Sequence, residues 1–478
     1  MSESSEDSTG SSAPSRVLKS NLRRALVLGV GSGLAEFLSH PGIGWPALAV
    51  VFVGLQLSIA RTCSVRNALA AFWTTGTVAW GLSLAWLPEG LASFSGASLL
   101  VSSGVLFLIV QTQTIPYIFS GLACWTLGGY AALQVTVYCL ALSACETLSV
   151  WPLPYSHAVL WLDLPGGAKV INLLGRDCAS AVLLLASALA VQLGRLTARR
   201  KSPYFQTIPP SFLAAPAGSI GIAVFIGWVS RGALAPVARP LRLGLLQSDL
   251  PLDAKRIRPE EVLDWHLRES KRFAVLNKVD ALIWGEVSMA QKYSQEGHAA
   301  VVLRHSLPPV LAGASVREGG CQSCSIHNSV LLINGSAQRY DKQRLVPFAE
   351  YVPQWFRLND HTATTVGSFA PSTRNDLFEI SGVRVASPVC YEAMFPSIMR
   401  DFADRGARVA VNLANDRWLG SSMGRRAHEQ LVRLSALDAG LSLVRLVDSG
   451  PSKVWDSNGN LTSALPAGRA IVATVEVK

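Results

Sequence analysis

The chain has 478 residues, of which 50% are apolar and only 15% charged, and its mean hydropathy is +0.32. Soluble chains ordinarily carry about 25% charged residues, so the composition argues against a wholly soluble protein. The net charge of +10 comes without an aromatic-interleaved basic patch or a nucleic-acid motif, which excludes nucleic acid as its reason and leaves anionic lipid headgroups.

Charge is unevenly spread. Between residues 67 and 168 the only formal charges are Glu89, Glu146 and Asp163, whereas after Arg239 the density is that of an ordinary domain. The opening MSESSEDSTGSSAPS is Ser-rich and acidic and predicts a disordered tail over residues 1–22. Arg16, Lys19, Arg23 and Arg24 stand before the first apolar run, which ends without a clean small-residue cleavage pattern. A retained signal-anchor helix is expected there. Candidate spans follow at 24–40, 44–60, 67–87, 177–195 and 217–235, with a long apolar region at 95–150. A helix needs about 20 mostly apolar residues to cross, and the positive-inside rule sets the parity. With the N-terminal basic cluster inside, Arg61 and Arg66 also fall inside, and so does the loop of Arg195, Arg199, Arg200 and Lys201 if 95–150 crosses twice. The expectation is a bundle of about seven helices over 23–236 and a domain over 237–478 outside the cytoplasm. Glu146 lies near the end of the fifth span; an acid inside a span is a functional candidate by default, and its place near an interface equally fits a structural role.

From Arg239 onward short β-type runs alternate with helical ones. Strands are predicted at Leu241–Gln247, Ala281–Glu286, Ala299–Arg304, Asn328–Asn334, Val383–Cys390 and Arg408–Asn415, with a last one near Ala470–Lys478. Helices are predicted at Pro259–Leu276, opened by Pro259-Glu260-Glu261, and at Gly424–Ala439. Alternation of this kind predicts an α/β layered domain whose reactive residues gather where strands end.

Three segments carry the chemistry: Ile283-Trp284-Gly285-Glu286, YDKQRLVPFAEYVP around Lys342, and SPVCYEAMFP around Cys390. A thiol is mostly protonated at neutral pH, so a nucleophilic Cys390 needs a base or a nearby cation. Glu286 can remove its proton, and Lys342 can hold the thiolate and then the tetrahedral oxyanion. Attack by the thiol yields a thioester, which suits acyl transfer. Each residue alone has a plainer reading: a solvated or capping glutamate, an exposed lysine, a small buried cysteine. The run Leu345-Val346-Pro347-Phe348 and Glu350-Tyr351-Val352-Pro353 after Lys342 is what a generic surface lysine would not carry.

These segments resemble the nitrilase, or carbon-nitrogen hydrolase, superfamily, and YDKQRLVPFAEYVP, CYE and NDRWLG with the preceding spans resemble its apolipoprotein N-acyltransferase family over residues 20–475. The resemblance implies a multi-span α-helical membrane bundle followed by an αββα sandwich with a Glu-Lys-Cys triad. It further implies an enzyme of the bacterial inner membrane, its catalytic domain facing the periplasm or outside. That enzyme moves an acyl chain from a phospholipid donor onto Cys390 and then to the α-amino group of the diacylglyceryl-cysteine of a lipoprotein acceptor. Position by position, Glu286 matches the family's base, Lys342 its oxyanion lysine and Cys390 its nucleophile. Glu350 and its neighbour Tyr351 match supporting positions, Tyr391 and Glu392 follow the nucleophile, and Trp418 stands in the Asn-Asp-x-Trp segment. No cofactor or metal is implied. Trp355, Phe356, Met394 and Phe395 can line an acyl channel or belong to the core.

The chain departs from the family at Arg417, usually a small residue, at Val447-Asp448-Ser449, usually Asn-rich, and at its C-terminal strand, where the family usually has another span. A membrane-tethered amidase or nitrilase passing the thioester to water, and a silent paralogue, are the alternatives. Among the eight cysteines, Cys63, Cys124, Cys139, Cys145 and Cys178 are expected to be buried and inert. Cys321 and Cys324, in a lone C-x-x-C, read as a local disulfide, a pair of thiols or a fragment of a metal site.

Overall fold

The computed structural model describes residues 13–127, 131–148, 152–199, 211–230, 239–251, 254–319, 324–351 and 369–478. The first half is helical: α1 (Ala13–Ser39), α2 (Leu48–Thr62), α3 (Val65–Ser83), α4 (Leu87–Ser95), α5 (Leu99–Thr126), α6 (Ala131–Thr147), α7 (Gly167–Arg199) and α8 (Ser211–Ser230). A 3-10 segment, His157–Asp163, joins α6 to α7. Among the described residues, Leu99–Thr126 and Gly167–Arg195 are each long and apolar enough to cross a membrane. Val65–Ser83 with Leu87–Ser93, bent by 46°, would form a third such span, and Leu48–Thr62 and Ala214–Val229 are shorter apolar helices. Large apolar side chains point outward along these helices, as at Leu100, Phe119, Phe225 and Trp228, a pattern suited to lipid.

Apolar helices gain nothing from the hydrophobic effect by meeting one another in lipid, so close backbone approach and polar contacts must hold them. Both are present between α1 and α3. A Cβ added to Gly29 would sit 2.6 Å from the Ala71 carbonyl oxygen, and one on Gly33 2.7 Å from that of Thr75. Beside them the Gln56 amide donates to Ser32 Oγ at 2.7 Å and to Thr75 Oγ1 at 2.9 Å. Glu146 is buried; its carboxylate accepts from the His157 backbone N–H at 3.1 Å and Ser180 Oγ at 2.7 Å, and meets His157 Nδ1. His157 Nε2 reaches Glu36 on α1 at 3.1 Å. Glu146 thus ties α1, α6, α7 and the 3-10 segment together, a structural role.

The second half is an α/β sandwich. One sheet holds β1 (Leu241–Gln247), β2 (Ala281–Tyr293), β3 (Val310–Glu318), β4 (Ser325–Asn334), β5 (Ser336–Asp341) and β12 (Ile471–Val477) in the order β12-β1-β2-β3-β4-β5. The other holds β6 (Phe378–Ile380), β7 (Val383–Ala386), β8 (Val409–Ala414), β9 (Ser442–Val447), β10 (Ser452–Trp455) and β11 (Leu461–Leu465) in the order β11-β10-β9-β8-β7-β6. Both sheets have a parallel centre, β1-β2-β3 and β7-β8-β9, with antiparallel flanks.

The period of two along the strands sorts the core. Leu243, Ile283 and Leu311 meet Val385, Val409 and Leu443 between the sheets, while Leu282, Trp284 and Val310 face Leu263 and Leu267 of α10 (Pro259–Leu276). The short α9 (Ala254–Ile257) precedes α10, α11 (Gln295–Leu303) flanks the first sheet, and α12 (Pro396–Asp404) and α13 (Ser422–Asp438) flank the second. The α-β-β-α layering is therefore as expected. Ala299–Arg304, predicted as a strand, is the end of α11: Ser294 caps that helix by accepting from the Gly297 N–H. Of the apolar run there, Ala299 and Val302 are buried against the sheet, while Ala300 and Leu303 are exposed. The predicted strand Val383–Cys390 stops at Ala386, since Pro388 cannot donate to a ladder.

Candidate active site

The site gathers residues from within β2, from just after β5 and from the turn that follows β7. Glu286 sits on β2 next to Gly285, where any Cβ would collide with the Asp448 carboxylate. Lys342 directly follows β5 and is pinned by its own N–H to the Asn328 carbonyl at 2.8 Å. Cys390 opens a 3-10 turn, Cys390–Met394, with φ at +51°. A non-glycine residue held there costs roughly 1–3 kcal/mol and persists only where its surroundings enforce it. They do: Asn412 Nδ2 donates to the Cys390 carbonyl at 3.3 Å and to that of Pro388 at 3.0 Å. Glu392 accepts the Val389 N–H at 2.7 Å and the Tyr340 hydroxyl at 2.8 Å on one oxygen, and the Gln343 and Arg344 N–H groups at 2.9 and 3.3 Å on the other. Glu392 thus clamps the Cys390 turn to the lysine segment; burial pushes its carboxyl up to about 7 against those donors.

Lys342, 1% exposed, bridges two acids. Its Nζ donates to Glu350 Oε1 at 2.9 Å and lies 3.8 Å from Glu286 Oε1. Asn328 Nδ2 also spans them, at 3.0 Å from Glu286 and 3.1 Å from Glu350. Glu350 is oriented in turn by the Val346 N–H at 2.7 Å. Burial alone would lower the lysine's pKa, but Glu350 and Glu286 carry it above the ordinary range. Burial, and then Glu350, raise Glu286. Burial and the Glu286 charge raise the Cys390 thiol well above its usual range, with Lys342 pulling the other way. The resting site therefore holds a neutral thiol, a charged lysine and a carboxyl of raised proton affinity, an arrangement for removing the thiol proton at the moment of attack.

Tyr391, the residue after Cys390, lines an apolar cavity of about 420 Å³ whose walls come from both halves of the chain, a size typical of ligand pockets. Trp80, Leu87 and Ile109 line it from the helices; Tyr351, Met394 and Trp418 line it from the sandwich. The Tyr391 hydroxyl donates to the Pro152 carbonyl, and Trp418 packs edge-on against Trp86 at 6.3 Å. Phe395 is core, fully buried with the Arg344 guanidinium 4.1 Å from its ring centre. Trp355, Phe356 and Cys321 lie outside the described residues; Cys324 is exposed.

Sequence reasoning missed the polar groups that finish the site. Asn328 gave no signal beyond its place in a predicted strand. Asp416 stands inside NDRWLG, and His428 and Arg445 follow on α13 and β9; only their convergence singles them out. Cys390 Sγ, an Asp416 oxygen and a His428 nitrogen all lie within 4.8 Å of one another, a donor set of the kind zinc accepts. However, Arg445 already compensates Asp416 at 2.8 Å and, with His428, holds its carboxyl far below the usual range although burial would raise it. The set fits a salt-bridged network better than a cation site. The departures at Arg417 and Asp448 are also paired, Arg417 with Asp249 Oδ1 at 2.6 Å and Asp448 with Lys255.

Residues 302–478 match the family profile described as Carbon-nitrogen hydrolase, a span that includes Lys342 and Cys390 and begins after Glu286. Over 94% of its length the chain is 27% identical to the apolipoprotein N-acyltransferase of Pseudomonas putida, covering 90% of that protein. It is 26% identical over 92% of its length to that of Pseudomonas syringae, covering 88% of it. A CN-hydrolase superfamily protein of known structure from Xanthomonas campestris is 19% identical and covers 50% of this chain and 91% of its own, with a TM-score of 0.39. The resemblance drawn from the motifs thus extends over nine-tenths of the chain.

Proposed function

We propose that this chain, similar along nearly its whole length to apolipoprotein N-acyltransferases, is a membrane-bound N-acyltransferase that works through a Cys390 thioester. Glu286 takes the thiol proton as Cys390 attacks the ester carbonyl of a phospholipid, and returns it to the departing lysophospholipid oxygen. Lys342, with Glu350 and Asn328 fixing its position, faces the negative charge of the tetrahedral intermediate. The α-amine of a diacylglyceryl-cysteine at a lipoprotein N-terminus then attacks the thioester, the C–N bond forms and the C–S bond breaks. We further propose seven spans, with the sandwich on the non-cytoplasmic side of a bacterial inner membrane, where both substrates reside.

The observation that carries this reading is the apolar cavity shared by helices and sandwich and lined by Tyr391 and Met394 of the turn that Cys390 opens. An amidase releasing its acyl group to water has no need of a lipid-sized apolar chamber walled by membrane helices. The test is to incubate the detergent-purified protein with a phospholipid bearing a labelled acyl chain. Hydroxylamine-sensitive label is expected on the wild type and not on Cys390→Ala, and should move to a diacylglyceryl-cysteine peptide. Label that is lost only to water would favour the amidase reading, and no label at all would sink both.

A further inference from the structure

Thioester aminolysis has a proton balance that Glu286 alone does not meet. The α-amine of an acceptor, with an ordinary pKa of about 7.7–8.0, arrives largely as an ammonium at neutral pH. An ammonium and a thioester give an amide, a thiol and one free proton. Two protons must leave the nitrogen: one goes to the departing sulfur, which Glu286 can supply after collecting it, and the other needs a second acceptor.

We propose that His428 is that acceptor, an inference that rests on the acyl-transfer reading. Its ring is part of the cavity wall, and a nitrogen of it lies within 4.8 Å of Cys390 Sγ and of an Asp416 oxygen. Nδ1 meets Asp416 Oδ1 at 2.9 Å, a contact that requires Nδ1 to donate, because the carboxylate can only accept. Arg445 Nη2 lies 3.1 Å from that nitrogen and donates to Asp416 Oδ2 at 2.8 Å, which holds the carboxylate in place. In the neutral ring the lone pair is then on Nε2, and among the described residues that buried atom has no partner. A histidine oriented by an acid, its ring beside a nucleophilic sulfur and its second nitrogen unused, is the arrangement of a general base. The titratable and charged groups set around it are Asp416, Arg445, the Cys390 thiol and, across the cavity, His40. In the second half-reaction Nε2 takes the ammonium proton, the free amine attacks the thioester, its second proton passes through Glu286 to the Cys390 sulfur, and the imidazolium releases its proton to solvent.

The full-length protein in detergent tests this in single turnover. The enzyme is loaded with labelled phospholipid, excess donor is removed, and loss of label from Cys390 is followed after adding a diacylglyceryl-cysteine peptide across a pH series. The wild-type transfer rate should reach half its maximum below the acceptor amine's own pKa, titrated separately. His428→Gln should slow transfer about 10²-fold at neutral pH, move the midpoint up to the amine's own value and rejoin the wild type at alkaline pH. Loading of the thioester should change by less than about threefold. An unchanged transfer profile in the variant overturns the role of His428, as does an equal fall in loading and transfer with a lowered melting temperature, which is what a structural histidine would give. Should the variant not fold, the wild-type profile decides alone, since a midpoint at the amine's own pKa means that no enzyme base takes its proton. Absence of thioester on the wild type would remove the acyl-transfer reading and this proposal together.

Discussion

At the scale of single residues the site is built around one buried cation between two acids. Because burial and Glu286 both raise the Cys390 thiol, inactivation by iodoacetamide should keep accelerating as pH rises past the ordinary thiol range of about 8.5, without the neutral-pH plateau of a preformed thiolate. A plateau near neutrality would contradict concerted removal of the thiol proton by Glu286. Glu286 works as a base only when ionised, and its pKa is raised; the acid limb of thioester formation should therefore lie above the ordinary glutamate value of about 4.3. Lys342→Met removes the cation that opposes this proton affinity and, in the mechanism we propose, faces the oxyanion. Thioester formation, followed by label on Cys390, should fall about 10²- to 10³-fold. Glu392→Gln tests the clamp in a different way. Donors meet both carboxylate oxygens, so an amide must turn its NH2 toward one pair of them. A loss of roughly 1–3 kcal/mol is expected, read as a lowered melting temperature.

At the scale of elements, much was legible where one face decides the pattern. Pro259–Leu276 is a helix with those same bounds, because Pro at its first position and two early glutamates match the backbone's needs at a helix start. Ala299–Arg304 misled because a short apolar run fits a strand or a buried helix face equally, and only the Ser294 cap and the strand beginning at Val310 decide between them. Glu286, Lys342 and Cys390 could be named from their local segments, whereas Asn328, Asp416, His428 and Arg445 owe their place to tertiary convergence that no local pattern encodes. Helix packing was likewise invisible to hydropathy, which does not distinguish Gly31 from Gly33. A Cβ on Gly33 meets Thr75 O at 2.7 Å and Val78 Cβ at 2.8 Å, while one on Gly31 meets only Leu55 Cδ1 at 3.5 Å. Gly33→Ala should therefore cost about 1–3 kcal/mol through overpacking against α3, lowering the temperature at which the detergent-solubilised protein aggregates, while Gly31→Ala should leave it unchanged. Equal effects would show that α1 and α3 do not pack through these glycines.

At the scale of the whole molecule, the cavity exists only while the helical half and the sandwich stay in register. Asp438, at the end of α13, holds them: it accepts the Arg176 backbone N–H of α7 at 2.8 Å and Arg400 Nε at 2.7 Å. Arg176 is itself buried, donating to the carbonyls of Glu146 and Tyr155 at 2.9 and 3.3 Å, so the joint runs from the sandwich to the Glu146 network of the helical half. Arg400 adds a contact to Asp177 at 3.1 Å but its side chain is 43% exposed. These environments predict unequal outcomes. Asp438→Ala leaves a buried N–H without its acceptor, a loss of about 1–3 kcal/mol, whereas Arg400→Ala removes a half-solvated partner and should cost about 0–1 kcal/mol. The functional consequence follows from what the joint encloses. A thioester inside a closed apolar chamber meets little water, and a loosened chamber admits it. Asp438→Ala should therefore still acquire label on Cys390 but lose more of it to free fatty acid and less to the acceptor peptide than the wild type. Measuring both products in one reaction tests this directly: an unchanged ratio would mean that water is kept from the thioester by the sandwich alone and that the helical half only anchors it.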